Sequence, residues 1–468
     1  MTIPYECLII GGGITGLSAA WYLQEANLTH YCLLEKADRW GGKVISARLP
    51  LPNGQSCLAD GGPESFVTRK PEVLDLANAL GVETSIPASE TAGMHLLKAG
   101  KIYPVPLHPL IFIKSGLLSL RGKLRLIAEP FIAPRRDWAD ESIADFVRRR
   151  LGQEALDHML GPILAGIYNA DPTEQSIMVS SPIMRQMERE YGSLVRALIV
   201  RMRAARKARR QNGTRKPQFV AFRNGAEALI NALVEKLRGD LRLNSAVTCI
   251  SRSADVYTVT LSTGETFSAK RLLLATTANV SAHLLRDLAP QSATLLGLIE
   301  HSSIGTASLV FRTSELPTKR KIRGLIIPRR EGRAIDAVQW TSDRMNERAP
   351  EGYTLLRVFF GGAQPHMVTL DEPSLETEIL AELSALFGIQ AKPVAFRAFR
   401  WEQQYPLARV GHLDLVERIE ASLPSGVFVA GSSYRGVGVP DCIKQAKDAV
   451  QKVIQAVRGS TIQEALHQ

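Results

Sequence analysis

The residues best placed to do chemistry lie at the two ends of the chain. Gly11-Gly12-Gly13-Ile14-Thr15-Gly16 satisfies G-x-G-x-x-G between a strand-like run, Cys7 to Ile10, and a helical one, Leu17 to Ala26. Glycines at this spacing allow a tight turn and let backbone amides approach a pyrophosphate, whose charge the helix amino end stabilises. Glu35, which ends the next predicted strand, Tyr31 to Leu34, is spaced to accept hydrogen bonds from a ribose. Arg39-Trp40-Gly41-Gly42-Lys43 follows, a second glycine loop able to reach the same ligand, with Arg39 adding positive charge near a pyrophosphate. The chemistry predicted is dinucleotide binding. Near the other end, Val427 to Gly431 reads as a buried strand, 432–441 as a glycine-rich loop, and Cys442 onward as a helix with Asp441 as its N-cap and Pro440 before it. A helix amino end aimed at a redox ring would stabilise the negative charge that gathers there after hydride capture. The sequence shows no Ser-His-Asp arrangement and no metal-ligand cluster, so no catalytic side chain and no metal is nominated.

The elements that must position these residues begin with a strand, glycine turn, helix and strand, a βαβ opening. From Pro104 to about Gly213 the pattern is helical with Pro and Gly breaks, and Ser142 to Leu151 and Val195 to Met202 carry apolar residues at helical spacing. Extended segments at Ala246 to Ile250, Val256 to Leu261 and Arg271 to Ala275, with Ser262-Thr263-Gly264 as the turn between the last two, suggest a return to the sheet. A second α+β region follows, with strands at Ala307 to Phe311 and Leu355 to Phe360 and a helix around Leu375 to Leu386. At 468 residues the chain exceeds one simple core, and 45% apolar with 22% charged residues is a globular composition.

The closing run Gly431-Ser432-Ser433-Tyr434-Arg435-Gly436-Val437-Gly438-Val439-Pro440-Asp441-Cys442-Ile443 resembles the closing motif of the protoporphyrinogen oxidase family, which includes coproporphyrinogen III oxidases of the same type. Asp60 to Phe66, Gly166 to Pro172, Glu190 to Leu194, Arg348-Ala349-Pro350, Trp401 with Pro406, and Gly411-His412 continue the resemblance in the same order. The E-x-x-x-R-x-G-G-K run from Glu35 to Lys43 is similar to that of FAD-dependent amine-oxidase-like flavoproteins, which favours FAD over NAD. The resemblance implies a Rossmann-like α/β FAD-binding domain (1–85, 217–290 and 400–468), an α+β substrate domain (86–104 and 291–399) and an inserted helical domain that meets the membrane (105–216). It implies FAD held non-covalently by Gly11, Gly12, Gly13, Ile14, Thr15, Gly16, Glu35, Lys36, Arg39, Gly42, Lys43, Gly62, Pro63, Glu64, Ser65, Val247, Trp401, Val437, Gly438 and Val439. No cysteine falls at the amine-oxidase position for covalent flavin.

The activity implied is oxygen-linked, six-electron oxidation of protoporphyrinogen IX to protoporphyrin IX, with coproporphyrinogen III as the alternative substrate. Another amine-oxidase-like flavoenzyme and an idle FAD- or porphyrin-binding protein are rival readings. Gly166, Asn169, Arg323, Ile326 and Phe359 are expected in or near the substrate cavity. There the chain departs from its relatives: Asn169-Ala170 stands where Ala-Gly is usual, Leu407-Ala408 where Gln-Tyr is usual, and Arg323 precedes Gly324 to Pro328 in place of an aromatic or small residue. Arg323 is read either as a solvated surface arginine, the commoner fate, or as a partner for a substrate propionate, which would favour coproporphyrinogen.

The net charge of +11 is mostly local, since Arg196 to Lys216 holds nine basic residues and no acid. With the amphipathic run Val195, Leu198, Ile199 and Met202 this suits either a solvated charged face or an anionic membrane surface. Leu107 to Leu120 is too short to span a bilayer. Nucleic acid is not expected, because no nucleic-acid module accompanies the charge. Five scattered cysteines and an opening without a leader pattern point to a reducing, cytoplasmic location, peripheral on the membrane. Self-association into a homodimer is left open.

Overall fold

The computed structural model describes residues 3–87, 93–105, 115–168, 170–212, 217–317 and 322–466. Its centre is a five-stranded parallel sheet in the order Asp240–Arg242, Tyr31–Leu34, Cys7–Ile10, Leu272–Leu274, Val427–Val429. The three central strands are continuous apolar runs because both faces are covered, as a parallel sheet requires. Helices Ile14–Glu25, Glu227–Lys236 and Val439–Leu466 pack on one face around Leu17, Leu33, Leu273 and Ile443. On the other face Leu8, Leu34 and Leu274 meet Tyr257, Leu285 and Val416. Each such apolar side chain contributes roughly 1.5–3 kcal/mol by leaving water, so two distant chain ends are held together by ordinary core packing.

The middle of the chain differs from expectation. Val247–Ser253 and Val256–Leu261 do not rejoin the parallel sheet; they form a separate antiparallel sheet with Thr266–Ala269, a strand the sequence reading passed over. The Ser262 to Gly264 turn leads into that strand, and only Leu272–Leu274 returns to the centre. The alternating burial of Val256–Leu261 marks a sheet with one wet face, unlike the fully buried central strands.

A seven-stranded sheet runs Ala395–Pro406, His301–Arg312, Tyr353–Phe360, Ile335–Trp340, Gly324–Ile326, Met94–Lys98, Lys101–Pro104, antiparallel except where Gly324–Ile326 meets Met94–Lys98. Helix Glu372–Phe387 closes its back through Leu375, Ile379 and Leu383. Strand Ala395–Pro406 crosses residue 400, where the sequence reading divided two domains.

Between 120 and 212 the described elements are helical, chiefly Leu120–Ile127, Ile143–Leu151, Gly161–Tyr168, Pro182–Tyr191 and Leu194–Asn212. They are tied by a buried ion network: Arg150 pairs with Glu129, and Arg149 and Arg185 reach Glu188 at 2.6 Å each. The Glu129 carboxylate also accepts the amides of Leu194 at 3.0 Å and Val195 at 3.1 Å, anchoring the start of the basic helix. Most of the apolar run Leu107 to Leu120 lies outside the described residues.

Candidate active site

The turn after the first strand is built for close approach. Gly11 has φ +110°, and a Cβ at Gly16 would lie 1.9 Å from the Gly11 carbonyl oxygen, so the helix meets the turn only because no side chain intervenes. Gly13 is the opposite case, with nothing within 4 Å of an added Cβ. Helix Ile14–Glu25 has no side-chain cap and no acid in its first turn, which leaves its first amides facing a cavity without a partner from a capping side chain. Such a helix end is an anion site.

Glu35 is fixed at the edge of this cradle, its carboxylate accepting the amides of Gly12 at 2.6 Å and Ala37 at 2.9 Å. Each oxygen keeps a second lone pair for a ribose hydroxyl. The Gly41-Gly42 loop is held against the turn by Gly41 N–H to Gly12 O at 2.8 Å, and Arg39 donates to the Gly42 carbonyl at 2.7 Å. Lys43 donates to the Gln404 carbonyl at 3.2 Å and Ser432 Oγ at 3.4 Å, joining this loop to both carboxyl-terminal segments; burial lowers its affinity for a proton.

The carboxyl-terminal helix starts at Val439, three residues before the expected Cys442. Cys442 N–H already bonds the Gly438 carbonyl at 2.9 Å, so Gly438 occupies the capping position and Asp441 sits within the first turn. Asp441 is paired with Lys70. Because Pro440 needs no amide partner, it fits inside a first turn as well as before one.

These pieces surround a cavity of 1030 Å³ that continues from the cradle to the seven-stranded sheet. Gly11, Gly13, Ile14, Thr15, Glu35, Lys36, Arg39, Gly42, Lys43, Gly62, Pro63, Val247, Trp401, Val437, Gly438 and Val439 line it, as do Gly166, Ile326 and Phe359. Gly12 and Gly16 lie behind the turn, against Trp40 and Leu33. Glu64 and Ser65 are also off the wall: Glu64 accepts Gln339 Nε2 at 2.6 Å, and Ser65 Oγ accepts Arg344 at 2.8 Å. Arg323 is exposed and is not among the residues lining the cavity, as its surface reading has it. Its amide pairs with the Gly93 carbonyl at the sheet margin. Asn169 lies outside the described residues.

Besides Lys36, Arg39 and Lys43, the wall carries Arg329, Arg357 and Arg400, which sequence reasoning missed. A signal existed for Arg357: it is the one charge in the strand Leu355-Leu356-Arg357-Val358-Phe359-Phe360, and strand alternation puts it on the Phe359 face. Its guanidinium lies 4.8 Å from the Phe359 ring centre. Nearby His301 is buried against Ser433 Oγ at 3.0 Å, and burial with the Lys43 charge lowers its pKa to about 4. Cys442 is the cysteine on the cavity wall, its thiol pushed up to about 11 by burial. Among the described residues no cluster could hold a metal, and no helix is long and apolar enough to cross a membrane.

The cradle fits FAD, on the exposed amides, the open face of Gly13 and the carboxylate of Glu35. Comparison with known proteins agrees. The family model for flavin containing amine oxidoreductase matches residues 14–454. The chain is 29% identical to the coproporphyrinogen III oxidase of Bacillus subtilis (strain 168), covering 96% of this chain and 97% of that protein. It is 26% identical to protoporphyrinogen oxidase 1, chloroplastic, of Arabidopsis thaliana, over 97% and 88%. A crystal structure of a candidate protoporphyrinogen oxidase from Exiguobacterium sp. 255-15 superposes with TM-score 0.82 at 27% identity, covering 97% and 99%. With the model matched across nearly the whole length and the cradle in place, the chain belongs to the flavin-containing amine oxidoreductase family.

Proposed function

We propose that this chain oxidises a porphyrinogen to its porphyrin with non-covalent FAD, and that coproporphyrinogen III is the substrate. The carrying observation is the continuous cavity of 1030 Å³, which joins a dinucleotide cradle to a basic and aromatic wall. The sequence favoured protoporphyrinogen. The choice of coproporphyrinogen rests on the names of several bacterial relatives, the Bacillus subtilis protein among them, and on Arg329 and Arg400 in the wall, which suit a substrate with four carboxylates. Protoporphyrinogen is the second reading, supported by the plant relative.

When bound, FAD supplies a two-electron acceptor that oxygen can restore; three rounds remove six electrons and six protons and yield three hydrogen peroxide molecules. The protein's part is placement. Ile326 and Phe359 offer the macrocycle apolar surface, and Trp401 excludes water beside the carboxyl-terminal loop. A neutral Cys442 thiol is a poor nucleophile, which suits a flavin held without a covalent bond. Leu120, Leu124 and Ile127, one face of a short helix, are exposed together with Phe131, Leu198 and Met202, and this supports an anionic membrane surface as a partner of the helical region.

The test is to load the protein with FAD and supply each porphyrinogen separately under air, following porphyrin fluorescence and peroxide. Faster turnover of coproporphyrinogen is expected. A flavin that stays oxidised when either porphyrinogen is added without oxygen would refute the enzymatic reading.

A further inference from the structure

The Asp60 to Ser65 loop enters a cluster of buried charge. Arg348 pairs with Asp60 at 2.9 Å, with both side chains fully buried. Arg357 and Arg344 approach the same Glu64 oxygen at 3.8 Å and 3.9 Å, and that oxygen also accepts Gln339. Three guanidiniums thus face two carboxylates. A buried positive charge is costly unless an anion or oriented dipoles meet it.

Arg357 is the member of this cluster that reaches the cavity. It donates to the Gly61 carbonyl at 2.6 Å and to that of Gly62, and so fixes the turn that carries Gly62 and Pro63 into the wall. Thr306 Oγ1 donates to the same Gly61 carbonyl at 2.7 Å, tying the turn to the neighbouring strand. Only 6% of the Arg357 side chain is exposed, and its Nε is buried without a hydrogen-bond partner. A structural clamp alone would be served by the two carbonyl contacts. The surplus charge calls for something more, a negative group inside the cavity.

Resting on the reading that FAD binds here, we propose that Arg357 positions the Gly61–Pro63 turn and presents a positive charge to the bound flavin, raising its affinity for electrons, while Glu64 tempers that charge. A fixed charge beside a group that becomes negative stabilises its reduced form most where water is excluded. Arg357 acts as a positioning and electrostatic residue and exchanges no proton, since a guanidinium does not give one up.

The experiment measures the two-electron potential of FAD-loaded wild type, Arg357→Met, Arg357→Lys and Glu64→Gln. Arg357→Met is expected to weaken binding of reduced relative to oxidised flavin at least tenfold, about 30 mV downward. Glu64→Gln, nearly the same shape without the negative charge, is expected to shift the potential upward, and Arg357→Lys to stay near wild type. Opposite signs from Met and Gln cannot come from loosened packing. If Arg357→Met does not take up flavin, the sign given by Glu64→Gln decides. Unchanged potentials with flavin bound, or a downward shift in Glu64→Gln, overturn the role of Arg357 and leave the proposed function standing. Wild type that refuses flavin overturns both.

Discussion

Gly13 and Gly16 belong to one motif, yet they should fail in different ways when each is given a methyl group. Gly13 has φ −72° and ψ 179°, a conformation alanine adopts freely, and its Cβ would meet no protein atom. Removing a glycine from the unfolded chain at such a site stabilises by about 0.4–1 kcal/mol. Gly13→Ala should therefore fold normally and melt no lower than wild type without ligand. Its methyl would stand in the cradle, where a phosphate must come close to the helix amides. Losing one charge-assisted hydrogen bond there costs about 1.5–3 kcal/mol, which weakens FAD roughly 10- to 100-fold. Gly16→Ala instead places its Cβ 1.9 Å from the Gly11 oxygen and 3.3 Å from Leu33. The helix must move off the strand, at about 1–3 kcal/mol or more for overpacking, and the ligand-free protein should melt earlier. The assay is FAD titration by flavin fluorescence alongside melting curves with and without FAD, since binding raises stability by mass action. Wild-type FAD affinity in Gly13→Ala would refute the placement of the pyrophosphate. A ligand-free melting loss in Gly13→Ala as large as that of Gly16→Ala would refute the division of roles.

Arg323→Ala should leave the ratio of coproporphyrinogen to protoporphyrinogen turnover unchanged, because the side chain lies off the cavity, whereas Arg329→Ala should lower it several-fold; steady-state kinetics with both substrates decide. His301 has its pKa lowered in the fold to about 4, so the unfolded chain takes up the extra proton first. Its contribution is full above the unfolded value near 6.5 and is lost as pH falls towards 4, up to about 3 kcal/mol. Urea unfolding of His301→Gln should accordingly show a shallower loss between pH 6.5 and 4 than wild type. Glu129→Gln takes from buried Arg150 its nearest anion, leaving Glu188 at 3.6 Å, and weakens the anchor at the start of the basic helix, a loss of about 3 kcal/mol seen by thermal melting and by earlier proteolysis between 194 and 212. Replacing Leu124 and Phe131 with Asp should reduce co-sedimentation with anionic liposomes, and equal recovery on neutral and anionic lipid by wild type would remove the membrane partner.

What the sequence made legible was local. The glycine turn, Glu35 and the Arg39 to Lys43 loop are within some thirty residues of one another, and each owes its role to backbone geometry that glycine or a carboxylate dictates wherever it stands. The helix at 143–151 was readable from local apolar spacing, and the helix at 372–387 was placed within a few residues of its ends. What was missed depends on partners far away in the chain. Thr266–Ala269 is a strand because Val256–Leu261 lies beside it, and Leu272–Leu274 joins another sheet only three residues later. The start of the last helix moved because Gly438 supplies the capping carbonyl, which composition does not distinguish from the loop.

Charge was the hardest to assign. Arg323 lies just before a strand and Arg357 within one, and the register of the seven-stranded sheet fixes the face that Arg357 takes. Pairing of Ser308 with Arg357 and of Thr306 with Phe359 keeps Arg357 on the same face as Phe359 and within reach of the Gly61 carbonyl. A slip of one residue would bury Val358 in the cavity wall and drive a guanidinium into the Leu356 and Phe360 core, at a cost no contact there could offset. The apolar pattern that fixes the register therefore also fixes which arginine faces the cavity. In this fold the placement of the charge follows from packing of residues that take no part in the chemistry.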